Sequence, residues 1–194
     1  MRASSRLSFA TSNEGKFQEA RLVLGEFGIR PTRISAKGDE LQSDDVGKIA
    51  AAAAAALSLK HPGRLFVEDT GLYVRSMGGF PGPYASHAFR TLGLPGVLRL
   101  LQGSDDRTAE FVSAAAYVES GGRPRVFKGR LVGRIARRAR GSRGFGFDPV
   151  FLPEGSSRTL GEMTPQEKCA VSHRARALRA MGRWLVSRQY RESL

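Results

Sequence analysis

Glu68 and Asp69 are two adjacent carboxylates in this 194-residue chain, and they follow an apolar run at residues 65–67. The run predicts a short buried strand that stops before Gly71, so the two acids would lie at its end. Burying an acid costs free energy unless the acid is paired or bound to a metal ion. At the mouth of an α/β sheet, such carboxylates suit Mg²⁺ held against a substrate phosphate. Taken alone, the pair also fits a capped turn with two solvated acids.

The turn at residues 11–16 is a second candidate, because it joins a short apolar strand at residues 7–11 to a predicted helix. That helix is indicated by a stop at Gly28 and by one apolar stripe of Phe17, Ala20, Val23, Leu24 and Phe27. Backbone N–H groups at a helix start, with hydroxyl, amide and ammonium side chains, can hold phosphate oxygens. The spacing matches neither a Walker loop nor a dinucleotide fingerprint. Alone, the turn also fits an Asn-Glu-Gly turn with a surface lysine.

His173 and Arg174 lie near a predicted helix start in the carboxy-terminal part of the chain. A capping box begins at Thr164, and Ser172 is placed to cap the helix that follows. The two residues are therefore expected at the amino terminus of the last helix. Taken alone, His173 also fits a core or capping histidine.

The net charge of +13 favours phosphate-bearing partners, because such a surface attracts phosphates of nucleic acid or of a polyphosphate small molecule. An arginine-rich run at residues 137–143, beside the glycines and aromatics of residues 144–151, suits single-stranded nucleic acid. Asp148 and Pro149 place a negative charge and a fixed turn in that segment. We therefore expect a small-molecule substrate and no stable nucleic-acid partner.

The composition is otherwise that of a globular protein, with 41% hydrophobic and 25% charged residues. No apolar run reaches the ~18 residues that a membrane helix needs. The amino terminus lacks the apolar stretch of a signal peptide, so we expect a cytoplasmic protein with no membrane segment. Cys169 is the only cysteine, which excludes a disulfide within the chain, and the histidines lack zinc-ligand spacing.

The elements that must position these residues follow one another as strand, helix, strand, helix, strand, which is α/β order. A chain of this length is expected to form one domain over residues 1–194. The predicted elements after the first helix are a strand at 29–34, a helix through the alanines of 50–56, a helical region at 86–101 broken by residues 93–96, a hairpin of 108–118 with 126–135, and a helix at 175–186.

In this order, the motifs resemble those of the inosine/xanthosine triphosphate pyrophosphatases, which remove non-canonical purine nucleotides. The resemblance spans nearly the whole chain and involves five motifs, at residues 11–16, 68–72, 79–84, 144–149 and 162–174. It implies hydrolysis of ITP, dITP or XTP to the monophosphate and pyrophosphate, with Mg²⁺ as cofactor. It also implies an elongated, two-lobed α/β fold with a long curved mixed sheet flanked by helices, and an active-site cleft between the lobes.

The resemblance further implies roles for individual residues. Asp69 is the catalytic residue that orients or deprotonates the attacking water, and it holds Mg²⁺ together with Glu40. Glu68 is the alternative to Glu40 as the second metal ligand. Substrate binding is implied for Thr11, Ser12, Asn13, Glu14, Gly15, Lys16, Thr70, Phe145, Gly146, Phe147, Asp148, Lys168, His173 and Arg174. Among these, Lys16 and Lys168 would contact phosphates, Phe147 would stack on the purine, and Asp148, His173 and Arg174 would line the base and sugar pocket.

Three positions depart from the family pattern. Cys169 stands where asparagine is common, Phe147 stands where tyrosine or tryptophan is usual, and the helix through residues 50–56 lacks a lysine that some members have. The family also implies a homodimer, for which residues 79–90 are the interface candidate. A nucleic-acid-binding module and a catalytically silent nucleotide sensor are the alternatives, and neither would release pyrophosphate from inosine triphosphate.

Overall fold

The structure is a computed structural model that describes residues 6–36 and 41–192. Within those ranges the strands are β1 (Leu7–Ala10), β2 (Thr32–Ile34), β3 (Arg64–Val74), β4 (Pro81–Gly82), β5 (Thr108–Glu119), β6 (Arg125–Ile135) and β7 (Phe151–Pro153). The helices are α1 (Glu14–Gly25), α2 (Val46–Lys60), α3 (Ala85–Leu100), α4 (Pro165–Val171) and α5 (His173–Glu192). None of these helices is both long enough and apolar enough to cross a membrane.

One mixed sheet connects all of these strands in the order β2-β1-β3-β5-β6-β7, with β4 paired to β3. β1 runs parallel to both β2 and β3, whereas β3, β5, β6 and β7 pair in antiparallel fashion. Helices pack on both faces of the sheet, which remains open at its edges. The predicted α/β fold class, with a mixed sheet flanked by helices, is therefore confirmed.

The pairing of β3 with β5 is the longest in the sheet, and it runs from Arg64 to Val74 without interruption. The prediction that the strand stops before Gly71 was therefore wrong, because pairing with β5 continues through Gly71 to Val74. On its other side, β1 pairs with residues 64–67 and β4 with residues 72–73. Among the strand pairings of the described chain, residues 68–71 thus have a partner on one side only.

Alternation along β3 sends Glu68 and Asp69 to opposite faces of the sheet. Glu68 shares its face with Phe66, which packs against side chains of α1 and α5. Asp69 shares its face with Val67 and with its cross-strand partner Ala114, and both of these pack under the alanines of α2. The two adjacent acids consequently have different surroundings.

Several local predictions are confirmed by the backbone. α3 is kinked at Gly93, whose φ of 62° and ψ of −174° are not helical. The hairpin forms as β5 and β6, and Thr164 caps α4 in a reciprocal capping box. The strand expected at residues 29–34 is shorter than predicted and begins only at Thr32, after Pro31.

α5 approaches β6 closely at Gly129, and the contact is between backbones. A Cβ atom at Gly129 would lie 2.1 Å from the carbonyl oxygen of His173 and 2.5 Å from the nitrogen of Ala177. Both atoms belong to the helix backbone, which cannot move without shifting the whole first half of α5. Glycine at this position therefore sets the depth at which α5 lies on the sheet.

We predict that Gly129→Ala lowers the free energy of unfolding by about 1–3 kcal/mol, because the added methyl group overpacks the contact between β6 and α5. Gly25→Ala is the matched control, since a Cβ atom there would meet nothing within 4 Å. Urea denaturation of both variants and the wild type measures the difference. Equal stabilities of the two variants would contradict this account of the helix–sheet contact.

Candidate functional site

The turn between β1 and α1 is held by its own side chains. The hydroxyl of Thr11 accepts a hydrogen bond from the Asn13 nitrogen at 3.1 Å, and the side-chain oxygen of Asn13 accepts one from the Lys16 nitrogen at 2.9 Å. Asn13 is thereby the N-cap of α1, as its residue type favours. Ser12 and Glu14 are exposed, and Glu14 forms an ion pair with Arg33. The predicted strand–turn–helix geometry of residues 11–16 is confirmed.

Glu68 lies beside this turn with a side chain that is completely shielded from solvent. Its carboxylate is 2.9 Å from the Lys16 ammonium and 3.2 Å from Nε of Arg174. Ser113 donates a hydrogen bond to it at 2.5 Å, and Thr70 donates another. Burial alone would raise the pKa of Glu68, but the charges of Arg174 and Lys16 and the two hydroxyl donors outweigh it and hold the pKa far below its usual range. Glu68 is therefore ionised, and its role is to hold these cations and hydroxyl groups in place.

The ion-pair network continues from Arg174 toward α4. The Arg174 guanidinium donates to Glu19 at 2.5 Å and to the hydroxyl of Thr70 at 3.1 Å. Lys168 lies between Glu19 at 2.7 Å and Asp148 at 2.5 Å. Burial raises the pKa of Glu19, but Arg174 and Lys168 outweigh this effect and lower it. A continuous chain of buried charges therefore joins α1, β3, α4 and α5.

Lys168 was expected to place a positive charge on the substrate phosphates. Its ammonium group is only 4% exposed and is bound between two carboxylates. These contacts support a different role, in which Lys168 fixes Asp148 and the segment around it.

The segment at residues 144–149 is organised by Asp148, whose carboxylate accepts a hydrogen bond from the Phe145 nitrogen at 2.7 Å. Gly144 has a φ of +75°, and a Cβ atom there would lie 2.1 Å from the Asp148 carboxylate. Only glycine satisfies both conditions. The half-buried Gly146 has a φ of +60°, so the chain reverses direction between the two phenylalanines.

Phe147 was predicted to stack on the purine, but the structure places it in the core. It is 4% exposed and makes an edge-to-face contact with Phe89 at 5.5 Å. Phe145, in contrast, is half-buried, and its ring lies 4.5 Å from the Lys168 ammonium and 5.3 Å from the Arg174 guanidinium. Phe145 is thus the aromatic side chain that faces the charged network.

Phe145 also brings together two motifs that are far apart in the sequence. A Cβ atom at Gly15 would lie 2.5 Å from the Phe145 ring, so the ring rests directly on the first turn of α1. A larger residue at position 15 would displace the ring. Gly15 and Phe145 therefore bring the 11–16 turn and the 144–149 segment into one site.

His173 is buried and stacks on Phe111 at 4.4 Å with an interplanar angle of 16°. Burial, and next the Arg174 charge, lower the pKa of His173 well below its usual value, so the imidazole is neutral at pH 7. Neither ring nitrogen has a hydrogen-bond partner among the described residues. Unpartnered polar atoms are rare in protein interiors, and a ligand or a water molecule is the usual reason for them.

Asp69 lies half-buried on the face of the sheet opposite Glu68, in the part of β3, residues 68–71, that has a strand partner on one side only. Tyr73, two residues on, donates a hydrogen bond to the Asp44 carbonyl at 3.1 Å. Burial, followed by the charges of Asp45, Asp69 and Asp44, raises the pKa of Tyr73. Negative charge therefore gathers on this face beside the start of α2.

The predicted metal ligands are only partly within the described structure, because Glu40 lies outside the described residues. In the described ranges, no group of three or more His, Cys, Asp or Glu side chains is arranged to hold a metal ion. Mg²⁺ commonly uses one or two carboxylates together with substrate phosphates and water, a donor set that Asp69 with Glu40 would fit. Glu68 does not fit, because its carboxylate is already bound by cations and hydroxyl donors.

Glu19 and Ser113 are site residues that sequence reasoning missed. Glu19 is an acid buried on α1 beside the apolar Ala20 and Val23. An acid in such a position requires a cationic partner. That partner, Arg174, is 155 residues away in sequence, so the helical pattern alone gave no signal of it. Ser113 had no distinguishing neighbour in the sequence.

The chain resembles known proteins over nearly its whole length. A model of the Ham1 family matches residues 7–184. A dITP/XTP pyrophosphatase of Methanopyrus kandleri is 46% identical over 92% of this chain and 95% of its own length. A dITP/XTP pyrophosphatase of Hyperthermus butylicus is 48% identical over 93% and 94%, respectively. The structure of a HAM1 protein from Coxiella burnetii has a TM-score of 0.80 and 28% identity, covering 94% of this chain and 99% of that one.

The buried neutral His173 predicts a specific dependence of stability on pH. The unfolded chain binds a proton at His173 below a pH of about 6.5, whereas the folded chain does not, so stability falls as the pH falls below that value. This contribution to stability is therefore lost progressively as the pH falls from 7 to 5.

His173→Gln should remove that contribution, which urea denaturation at the two pH values measures. His87→Gln, at an exposed position on α3, is the control and should keep the wild-type dependence. If His173→Gln also kept the full wild-type difference between pH 7 and pH 5, another group would be responsible for it.

Proposed function

This chain belongs to the Ham1 family, and we propose that it hydrolyses non-canonical purine nucleoside triphosphates to the nucleoside monophosphate and pyrophosphate. It is a hydrolase of the α–β phosphoanhydride, and its substrates are dITP, XTP and ITP. The observation that carries the proposal is the stretch of β3 at residues 68–71, which has a strand partner on one side only among the described residues. There Thr11 follows the residue that pairs with Val67, Lys16 and Arg174 both bind Glu68, and the half-buried Asp69 is the next residue.

The triphosphate is bound at the 11–16 turn. Thr11 follows directly on the residue that pairs with Val67, so the turn lies beside Glu68 and Asp69. Backbone N–H groups at the start of α1 point toward the ligand, and the helix dipole favours its negative charge. The Lys16 ammonium is 20% exposed and already near the site, where it exchanges part of its contact with Glu68 for phosphate oxygens.

Asp69 is proposed as the residue that orients the attacking water and accepts its proton. It is half-buried beside the 11–16 turn, on the face of the sheet opposite the ion-pair network around Glu68. We propose that Asp69 and Glu40 hold Mg²⁺. When bound, the ion supplies positive charge to the phosphoryl oxygens as negative charge develops on them.

The base is proposed to stack on Phe145 and to contact His173 and Arg174. Hypoxanthine and xanthine present an acceptor oxygen at C6, whereas adenine presents an amino donor. His173 offers unpartnered buried nitrogens, and Arg174 retains N–H groups beyond those bound to Glu19 and Thr70. A buried donor left facing another donor is costly, and polar pockets of this kind can discriminate by about 10⁴-fold.

We further propose that the protein forms a homodimer. Large apolar side chains are exposed along β4 and α3, and they include Phe80, Tyr84, Phe89 and Leu92. Three of these fall in the segment at residues 79–90 that the sequence indicated. Several large exposed apolar side chains in one segment favour association with a second copy. A cytoplasmic location stays a prediction from the sequence.

Incubation with inosine triphosphate and Mg²⁺, followed by measurement of released pyrophosphate, tests the function directly. A nucleic-acid-binding module or a silent nucleotide sensor would release none. Release of inorganic phosphate in place of pyrophosphate would contradict cleavage at the α–β bond.

We predict that Asp69→Asn lowers the rate of pyrophosphate release by at least about 10²-fold, because proton transfer and metal placement both use this carboxylate. The fold should be retained, since the side chain is half-exposed. Asp105→Asn, at a fully exposed acid, is the control and should keep wild-type activity. Wild-type turnover by Asp69→Asn would rule out its catalytic role.

Phe145→Ala is predicted to weaken binding of inosine nucleotides by about 1–3 kcal/mol, with little change in base preference, since any purine offers a stacking face. Phe147→Leu should instead lower thermal stability while leaving nucleotide affinity near the wild-type value, because Phe147 packs in the core. Calorimetric titration and thermal denaturation of both variants separate the two roles. Weakened binding in Phe147→Leu alone would restore the original assignment.

A further inference from the structure

A cavity of about 450 Å³ lies at the end of the sheet where β5 turns into β6, against the carboxy-terminal half of α5. It is separate from the proposed active site: Trp184, in its wall, is about 16 Å along α5 from His173. Its volume lies within the range of small-ligand pockets. The residues that line it are Tyr117, Glu119, Gly122, Arg123, Pro124, Arg125, Trp184 and Arg188.

The lining is strongly positive. It contains three arginines and one acid, Glu119, and the acid is already bound. Glu119 accepts a hydrogen bond from the Tyr117 hydroxyl at 2.6 Å and one from Arg188 at 2.9 Å. Burial and the bond to Glu119 raise the pKa of Tyr117 to about 12, so it stays a neutral donor. Glu119 therefore offsets Arg188 and leaves the charges of Arg123 and Arg125.

Arg123 and Arg125 form no ion pair with a carboxylate of the described chain. Arg125 lies over the Trp184 ring at 5.0 Å, and Arg188 lies over it at 5.5 Å. An exposed cation–π contact is weaker than a charge-assisted hydrogen bond to an anion. An anion entering the cavity would therefore gain the stronger interaction with guanidinium groups that are already gathered there.

We propose that this cavity binds a small oligophosphate anion of the size of pyrophosphate through Arg123 and Arg125, beside the Arg188 that is paired with Glu119. Arginine suits such a ligand because its planar group donates two parallel hydrogen bonds to phosphate oxygens. Single-stranded nucleic acid fits less well, because it requires free aromatic faces for base stacking. Trp184 already contacts two guanidinium groups and the rings of Tyr117 and Phe127. The site does not depend on the proposed catalytic function.

Trp184 is the only tryptophan in the chain, so its fluorescence reports on this cavity. Titration with pyrophosphate in the absence of Mg²⁺ should give a saturable change in emission as the guanidinium groups move from the ring to the anion. The double variant Arg123→Ala, Arg125→Ala should weaken this binding by at least about tenfold. Both positions are exposed, so the fold should be retained, which circular dichroism checks.

Two controls make the result specific. The double variant Arg99→Ala, Arg138→Ala removes the same charge from exposed positions elsewhere and should bind as the wild type does. Lys16→Ala, which weakens phosphate binding at the proposed active site, should leave the Trp184 signal unchanged. An equal loss in the Arg99, Arg138 variant would reduce the effect to general charge attraction, and loss in Lys16→Ala would place the binding at the active site. Either outcome overturns the proposal.

A single-stranded oligonucleotide, titrated at the same phosphate concentration, separates the remaining alternative. Weaker binding than that of pyrophosphate supports a small-anion site. Tighter binding that depends on Arg123 and Arg125 would assign the cavity to nucleic acid instead. Absence of any saturable change with pyrophosphate would also overturn the proposal.

Discussion

The buried carboxylate of Glu68 is the contact on which the site depends, because it joins three parts of the chain that are distant in sequence. It binds Lys16 from the first turn of α1 and Arg174 from the first turn of α5, while its own backbone lies in the middle of β3. Removing one partner of a buried ion pair typically costs about 3–5 kcal/mol, because the other charge is left without compensation. The position of the 11–16 turn relative to the last helix is therefore fixed by one acid.

The alternation of side chains along β3 explains how two adjacent acids come to have different surroundings. Glu68 points toward the helices that carry cations and is bound by them, whereas Asp69 points toward the face that α2 covers. At the end of a strand, both acids would have been exposed to the same solvent. Because β5 extends the strand past both residues, Glu68 is buried among cations, whereas Asp69, which we propose as the catalytic residue, is half-buried on the other face.

Local signals in the sequence were sufficient for elements whose geometry is decided within a few residues. The capping box at Thr164 and the kink at Gly93 are examples, since each depends on the backbone preferences of adjacent side chains. The length of β3 depended on pairing with a strand about 45 residues away, which no local pattern encodes. The choice between Phe145 and Phe147 also required the structure, because a positive-φ glycine separates them and turns one ring to the site and the other to the core.

The distribution of charge within the site bears on how a polyanion is accepted. Three acids, Glu19, Glu68 and Asp148, are paired with three cations, Lys16, Lys168 and Arg174, so the buried network is close to neutral although the chain carries +13. His173 adds no charge, because its pKa is lowered well below 7. Long-range attraction of a triphosphate must therefore come from the arginine-rich surface. At the site that we propose, backbone N–H groups and the partly exposed Lys16 would bind the phosphates, while the paired charges hold these groups in position.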